Sequence, residues 1–221
     1  MITNVGFIQQ LLLGTKLTLI VAVCALCFGL LVGLLSAILE LSSSKIIRIA
    51  AITCMSLIRG LPELLVLFAI YFGGTILLSK IFHHYVEVNA LIAGIVALGL
   101  IFAAYAAEVF RGAFLAINSG QKEAGMALGF SNYYILTRIQ LPQLWRHALP
   151  GLNNLWLVLL KDTALVSLLG LADLMNKTQI AASETHQPFT FYCVAALIYL
   201  VLTSISQMIA SFCIPKLTKQ R

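Results

Sequence analysis

Five continuous apolar runs constrain this chain more than anything else in it: Leu11–Leu39, Ile46–Leu78, Ala90–Ala107, Pro150–Leu171 and Phe191–Ile214. About 20 such residues cross the hydrocarbon core as an α-helix, and in lipid the backbone must satisfy its own hydrogen bonds. The expected fold class is therefore an all-α integral membrane protein with five transmembrane helices. Composition agrees, with 10% charged residues against about 25% in soluble domains. The first run has no basic segment before it and far exceeds the roughly 7–15 apolar residues of a cleavable leader. It reads as a retained helix.

An odd number of spans puts the termini on opposite sides, and the basic residues choose between the two orientations. With the N-terminus outside, the cytoplasmic segments hold Lys45, Arg48, Arg111, Lys122, Arg138, Arg146, Lys216, Lys219 and Arg221; the other side holds Lys16, Lys80 and Lys177. That asymmetry predicts a periplasmic N-terminus and a cytoplasmic C-terminus. The net charge of +6 is spread over the ends of apolar runs, which sets topology and excludes a nucleic-acid surface. One transmembrane domain over 11–214 is expected, with a cytoplasmic loop over about 108–149 and a tail over 215–221.

Cys24, Cys27, Cys54, Cys193 and Cys213 all sit within apolar runs, and no second pair or nearby histidine completes a metal site around the Cys24–Cys27 pair. They are expected to be small packing residues. His83 and His84 read as a solvated pair in a short loop. Gly29, Gly33 and Ala37, four apart, form a small-residue stripe for close helix contact.

The second run is too long for one crossing, since its helix would measure roughly 50 Å. Near its middle stands "RGLPELL", where Pro62 removes a backbone donor and Gly60 weakens the helix, so a kink or break is expected. Transport proteins place such breaks beside wet cavities. Arg59 and Glu63 flank it four residues apart, an internal ion pair or a substrate path. In the fourth run Asn154 and Lys161 project nearly together and Asp162 stands about 80° away. Intramembrane charges cost about 3 kcal/mol each on insertion scales and usually face a partner or a water path.

In the long cytoplasmic loop, "GQKEAGMALGF" is charged and punctuated by glycine. Asn118 or Ser119 is placed to cap a short helix through Leu128, and Gly129 to end it. Ser131 then caps a second helix that Pro142 is expected to stop after Leu141. This hairpin reads as a docking element, with Gln121, Lys122, Glu123, Ala124, Gly125, Leu128 and Gly129 as its candidate residues.

"GQKEAGMALG" followed by "IQLPQLWRHALPGL" resembles the EAA signature of permease subunits of bacterial ABC importers, matched at Glu123, Ala124, Gly129, Ile139, Leu141 and Pro142, with Gly125 in place of the second alanine. "SLIRGLPELLVLFAIYFGG" and "NLWLVLLKDTALVSLLGLADLM" are similar to helices 2 and 4 of polar amino acid permeases, most of all the Q-type permeases of arginine importers. The resemblance implies a type I importer permease fold whose hairpin seats in a groove of an ATPase. It also implies a second permease subunit, identical or paralogous, and a periplasmic solute-binding protein. The substrate it implies is arginine or another basic amino acid, with the glutamine- and histidine-type permeases as the alternative. The chain lacks the G-x-x-x-x-G-K-[ST] phosphate loop, so ATP and its magnesium are expected on the partner ATPase and no cofactor on this chain. Asp162, Glu63, Asn154, Lys161 and Arg59 are the candidate substrate-path residues. Three rivals are weaker. No internal repeat supports an ion-coupled secondary transporter, no G-x-S-x-G supports a hydrolase, and intramembrane charges argue against a purely structural subunit.

Overall fold

The computed structural model describes residues 2–218, with side chains from residue 6 to residue 214. Every regular element among them is helical. The centre is the pair α1 (Ile2–Glu40) and α5 (Ala90–Leu115). The small-residue stripe of α1 lies against α5, as expected. A Cβ at Gly29 would stand 2.7 Å from the Gly99 carbonyl oxygen, one at Gly33 would stand 3.0 Å from that of Ala103, and Ala37 is fully buried. Lipid offers no hydrophobic drive between helices, so this contact rests on close packing, which larger side chains would prevent.

The second apolar run is two elements. Helix α2 (Lys45–Gly60) ends at Leu61, whose extended backbone (φ −96°, ψ 144°) is what a following proline imposes. Pro62 then opens α3 (Glu63–Phe68), which continues through a π-helical turn (Ala69–Gly73) into α4 (Gly74–Phe82). The crossing portion is Glu63–Phe82, so the break is complete and the span starts at Glu63 rather than Ile46. The other stretches long and apolar enough to cross, among the described residues, are Gly6–Glu40, Ala90–Leu115, Asn132–Leu169 and Pro188–Ile214.

Pro142 behaves differently from expectation. Helix α6 (Ser119–Ala127) and α7 (Asn132–Tyr134) form the hairpin, but α7 runs through a π-helical stretch (Ile135–Gln140) directly into α8 (Leu141–Asp162). Pro142 is the second residue of α8, and Pro150 lies inside it. A proline loses one donor and crowds the carbonyl four residues back; the wider π turn just before Pro142 supplies the slack, so the helix continues. The loop is correspondingly short, since Glu108–Leu115 still belongs to α5. A 3-10 helix (Thr163–Leu169) extends α8 to Gly170, and α9 (Leu174–Thr185) and α10 (Pro188–Thr218) complete the chain.

The cysteines also depart from expectation. Cys24, Cys27, Cys54, Cys193 and Cys213 are all exposed on outer helix faces, so they fill no space between helices. The tail expected over 215–221 lies outside the residues whose side chains are described.

Candidate functional site

Two regions carry the polar residues singled out above. The first is the hairpin. The Asn118 side chain accepts from the Gly120 N–H at 2.9 Å and caps α6. At the other end Gly129 takes φ +80°, a conformation that glycine adopts freely. This left-handed turn lets the Phe130 N–H reach back to the Gly125 carbonyl at 3.0 Å and satisfies the helix end. Ser131 caps α7 through the Tyr134 N–H at 3.2 Å.

The candidate docking residues divide in two. Lys122, Glu123, Ala124, Leu128 and Gly129 are exposed. Gly125 is buried, and a Cβ there would stand 3.0 Å from the Ile135 side chain, so its small size lets α6 pack on the returning arm. Gln121 is exposed as well, and the Gln143 amide donates to its side-chain oxygen at 2.6 Å. Gly125 packs inside the hairpin, and Gln121 links its arms at the surface. Of the apolar half of the exposed surface, sequence reasoning named only Leu128, 74% exposed, and missed Met126, Phe130, Tyr133 and Tyr134, with Tyr133 at 77% exposure. The signal was available, since large apolar side chains on a polar segment have no core of their own to enter.

The second region is a cavity inside the spanning bundle. It is a narrow, half-open cleft lined by Glu63, Asp162 and the apolar side chains of α5 and α8, with Tyr105 as a third polar group. Glu63 reaches it because α3 starts there. The α8 register supplies Leu155, Val158, Leu159 and Asp162 as one face. The cavity thus brings two carboxylates together with no basic side chain among the described residues of its wall.

Arg59 does not pair with Glu63. It forms its ion pair with Glu108 of α5, and the break at Pro62 is the reason, because the four-residue helical spacing of Arg59 and Glu63 no longer exists. A second pair, Arg111 to the buried Glu40 at 3.9 Å, ties α5 to the end of α1. Asn154 is exposed, and Lys161 lines a separate crevice with Met175, Tyr192 and Tyr199. Neither lines the carboxylate cavity. At the far end from the hairpin, the loop before α5 is strapped to the second span. Val86 and Val88 N–H groups donate to Ser79 and Thr75, and Tyr71 donates to Glu87.

Comparison with known proteins follows this geometry. Residues 29–219 match the family described as binding-protein-dependent transport system inner membrane component. The chain is 48% identical over 202 residues to the arginine ABC transporter permease protein ArtQ of Haemophilus influenzae, covering 91% of this chain and 90% of that protein. It is 38% identical to the histidine/lysine/arginine/ornithine transport system permease protein HisQ of Escherichia coli, covering 94% and 92%. Among solved structures, an amino acid ABC transporter crystallised with histidines superposes with a TM-score of 0.84 at 32% identity over 97% of both chains. The MetNI methionine ABC transporter shares the fold, with a TM-score of 0.76 at 21% identity over 96% of this chain and 98% of that one.

Proposed function

The chain belongs to the family of binding-protein-dependent transport system inner membrane components, and from that membership we propose that it carries cationic amino acids, arginine foremost, past the carboxylates of Glu63 and Asp162. It is a multi-pass inner-membrane permease subunit of an ATP-driven amino acid importer. Its hairpin engages a separate ATPase, which holds ATP and magnesium, and the N-terminus faces the periplasm. A second permease subunit completes the path, and a periplasmic binding protein delivers the solute.

One observation supports the substrate class above others: among the described residues the cavity wall holds two carboxylates and no basic side chain, while Arg59 is taken by Glu108 and Lys161, although next to Asp162 in the chain, lines a separate crevice. Intramembrane carboxylates need a cationic partner or water, and a guanidinium offers a planar fork suited to carboxylate oxygens. The names of the relatives, arginine permease and histidine/lysine/arginine/ornithine permease, point the same way.

The test compares arginine and glutamine uptake by the whole complex in proteoliposomes. Asp162→Asn and Glu63→Gln are expected to lower arginine uptake by about tenfold or more, the worth of one charge-assisted hydrogen bond. Glutamine uptake should change far less. Equal decline for both solutes would make the carboxylates structural and move specificity to the binding protein.

A further inference from the structure

Asp173 lies outside both regions and is fully buried. One carboxylate oxygen caps α9 by accepting from the Asn176 N–H at 2.9 Å. The other, Oδ2, has no hydrogen-bond partner among the described residues. The Tyr199 hydroxyl on α10 is likewise buried and without a partner. It is turned toward Asp173 and toward the hydroxyls of Thr18 and Thr163. Both threonines are wholly buried. Thr18 on α1 accepts from the Leu174 N–H at 3.1 Å, and Thr163 donates to the Leu160 carbonyl at 2.7 Å. A Cβ at Gly14 would stand 2.7 Å from the Asp173 carbonyl oxygen, so α1 is seated directly on this turn.

Native interiors leave few polar atoms unpaired, and two in one place call for a reason. The donors and acceptors here can close among themselves. Thr163 has committed its proton, so it can only accept, and Tyr199 can donate to it or to Asp173. Four elements therefore meet at one polar knot: α1, the 3-10 helix, α9 and α10. Thr163 is also the residue after Asp162, at the point where α8 tightens into the 3-10 helix. Whatever fixes Thr163 fixes the turn that aims Asp162 into the cavity.

We propose that Asp173 and Tyr199 are positioning residues for transport: with Thr18 and Thr163 they lock the end of α8 and so set where the Asp162 carboxylate stands. The proposal rests on reading Asp162 as a substrate carboxylate. It carries a pH signature. Burial pushes the Asp173 carboxyl up to about 6, against the pull of the backbone N–H groups of Asn176 and Met175. From α10 the facing titratable group is Tyr199; Lys161 of α8 lines a crevice with Tyr199 that Asp173 does not line. The knot residues of α1 and the 3-10 helix, Thr18 and Thr163, are uncharged.

The experiment uses the full complex in proteoliposomes, with KM and kcat for arginine measured from pH 5 to pH 8. Tyr199→Phe removes one oxygen and should raise KM by about two- to tenfold, the range of one neutral hydrogen bond, with kcat little changed. The native complex should show an inflection of KM near pH 6, and Asp173→Asn, which keeps the cap, should abolish it. An unchanged KM in Tyr199→Phe, or an inflection that survives in Asp173→Asn, overturns the proposal. If Asp173→Asn does not assemble, Tyr199→Phe decides alone. Asp162→Asn run alongside separates the two failures. If it leaves arginine KM unchanged, the cavity reading falls and this proposal with it. If it raises KM while Tyr199→Phe does not, only the positioning role falls.

Discussion

Two prolines interrupt two membrane helices, with opposite results. At Pro62 the chain breaks, and α2 and α3 become separate elements. At Pro142 the helix widens for one π-helical stretch and continues, so residues 132–169 form one unbroken helical rod. The surroundings explain the difference. Before Pro62 stand Gly60 and an extended pre-proline Leu61, whereas before Pro142 the chain takes the wider π-helical turn of Ile135–Gln140. The consequences for the proposed substrate path differ as well. The break frees Glu63 from Arg59 and delivers it to the cavity. The rod joins the hairpin at one end to Asp162 at the other, so a push on the hairpin can reach a cavity carboxylate without a flexible joint.

The largest effect should come from breaking the rod's connection at the hairpin. Gly129→Val forces a β-branched residue into positive φ, which it resists. The expected result is normal membrane insertion with ATP-driven uptake reduced by at least about tenfold, read by uptake per inserted permease. Normal uptake would detach the hairpin from coupling. Next comes the break itself. Pro62→Ala restores a backbone donor and lets α2 and α3 join, which turns Glu63 out of the cavity. Arginine uptake should fall by about threefold or more, short of the effect of deleting the carboxylate. A variant that transports as well as the native chain would show that the break does not present Glu63.

How much of this was legible in the sequence depended on distance along the chain. The caps at Asn118 and Ser131, the turn at Gly129 and the interruption at Pro62 are local, and residue type alone revealed them. The Gly29–Gly33–Ala37 stripe was legible because its period is helical, though not its partner. The four-residue spacing of Arg59 and Glu63 suggests an ion pair between them as one of two readings; the partner Glu108 lies 49 residues away, where only the assembled bundle places it. Gly125 and Gln121 read as docking residues because they stand in an exposed motif. Burial against Ile135 and the bond to Gln143 arise from the second arm of the hairpin. The continuity through Pro142 was hidden because proline propensity counts the lost hydrogen bond and not the slack next to it.

A smaller effect sharpens the placement of Arg59. The Glu108 side chain of its pair is 65% exposed, and exposed pairs contribute about 0–1 kcal/mol. Arg59→Gln should therefore lower the melting temperature by only about 4 °C or less and leave the preference for arginine over glutamine intact. Loss of that preference, measured by competitive uptake, would return Arg59 to the substrate path. The smallest effect concerns Asp173. Its folded-state pKa, about 6, is raised above the ordinary carboxylate range by burial. Its contribution to stability is complete below about pH 4 and is lost as pH rises through 6. Thermal unfolding in detergent across that window should slope downward in the native chain more than in Asp173→Asn. Parallel slopes would assign the pH dependence to other groups.

The claim that two cavity carboxylates read a cation is tested most directly by arginine against citrulline, which replaces the guanidinium by an uncharged urea of nearly the same shape. The permease–ATPase complex, assayed for direct binding without its solute-binding protein, should prefer arginine by at least about tenfold. The double variant Glu63→Gln, Asp162→Asn should bind the two equally while still assembling with its ATPase. A preference that survives undiminished in the double variant would contradict the account.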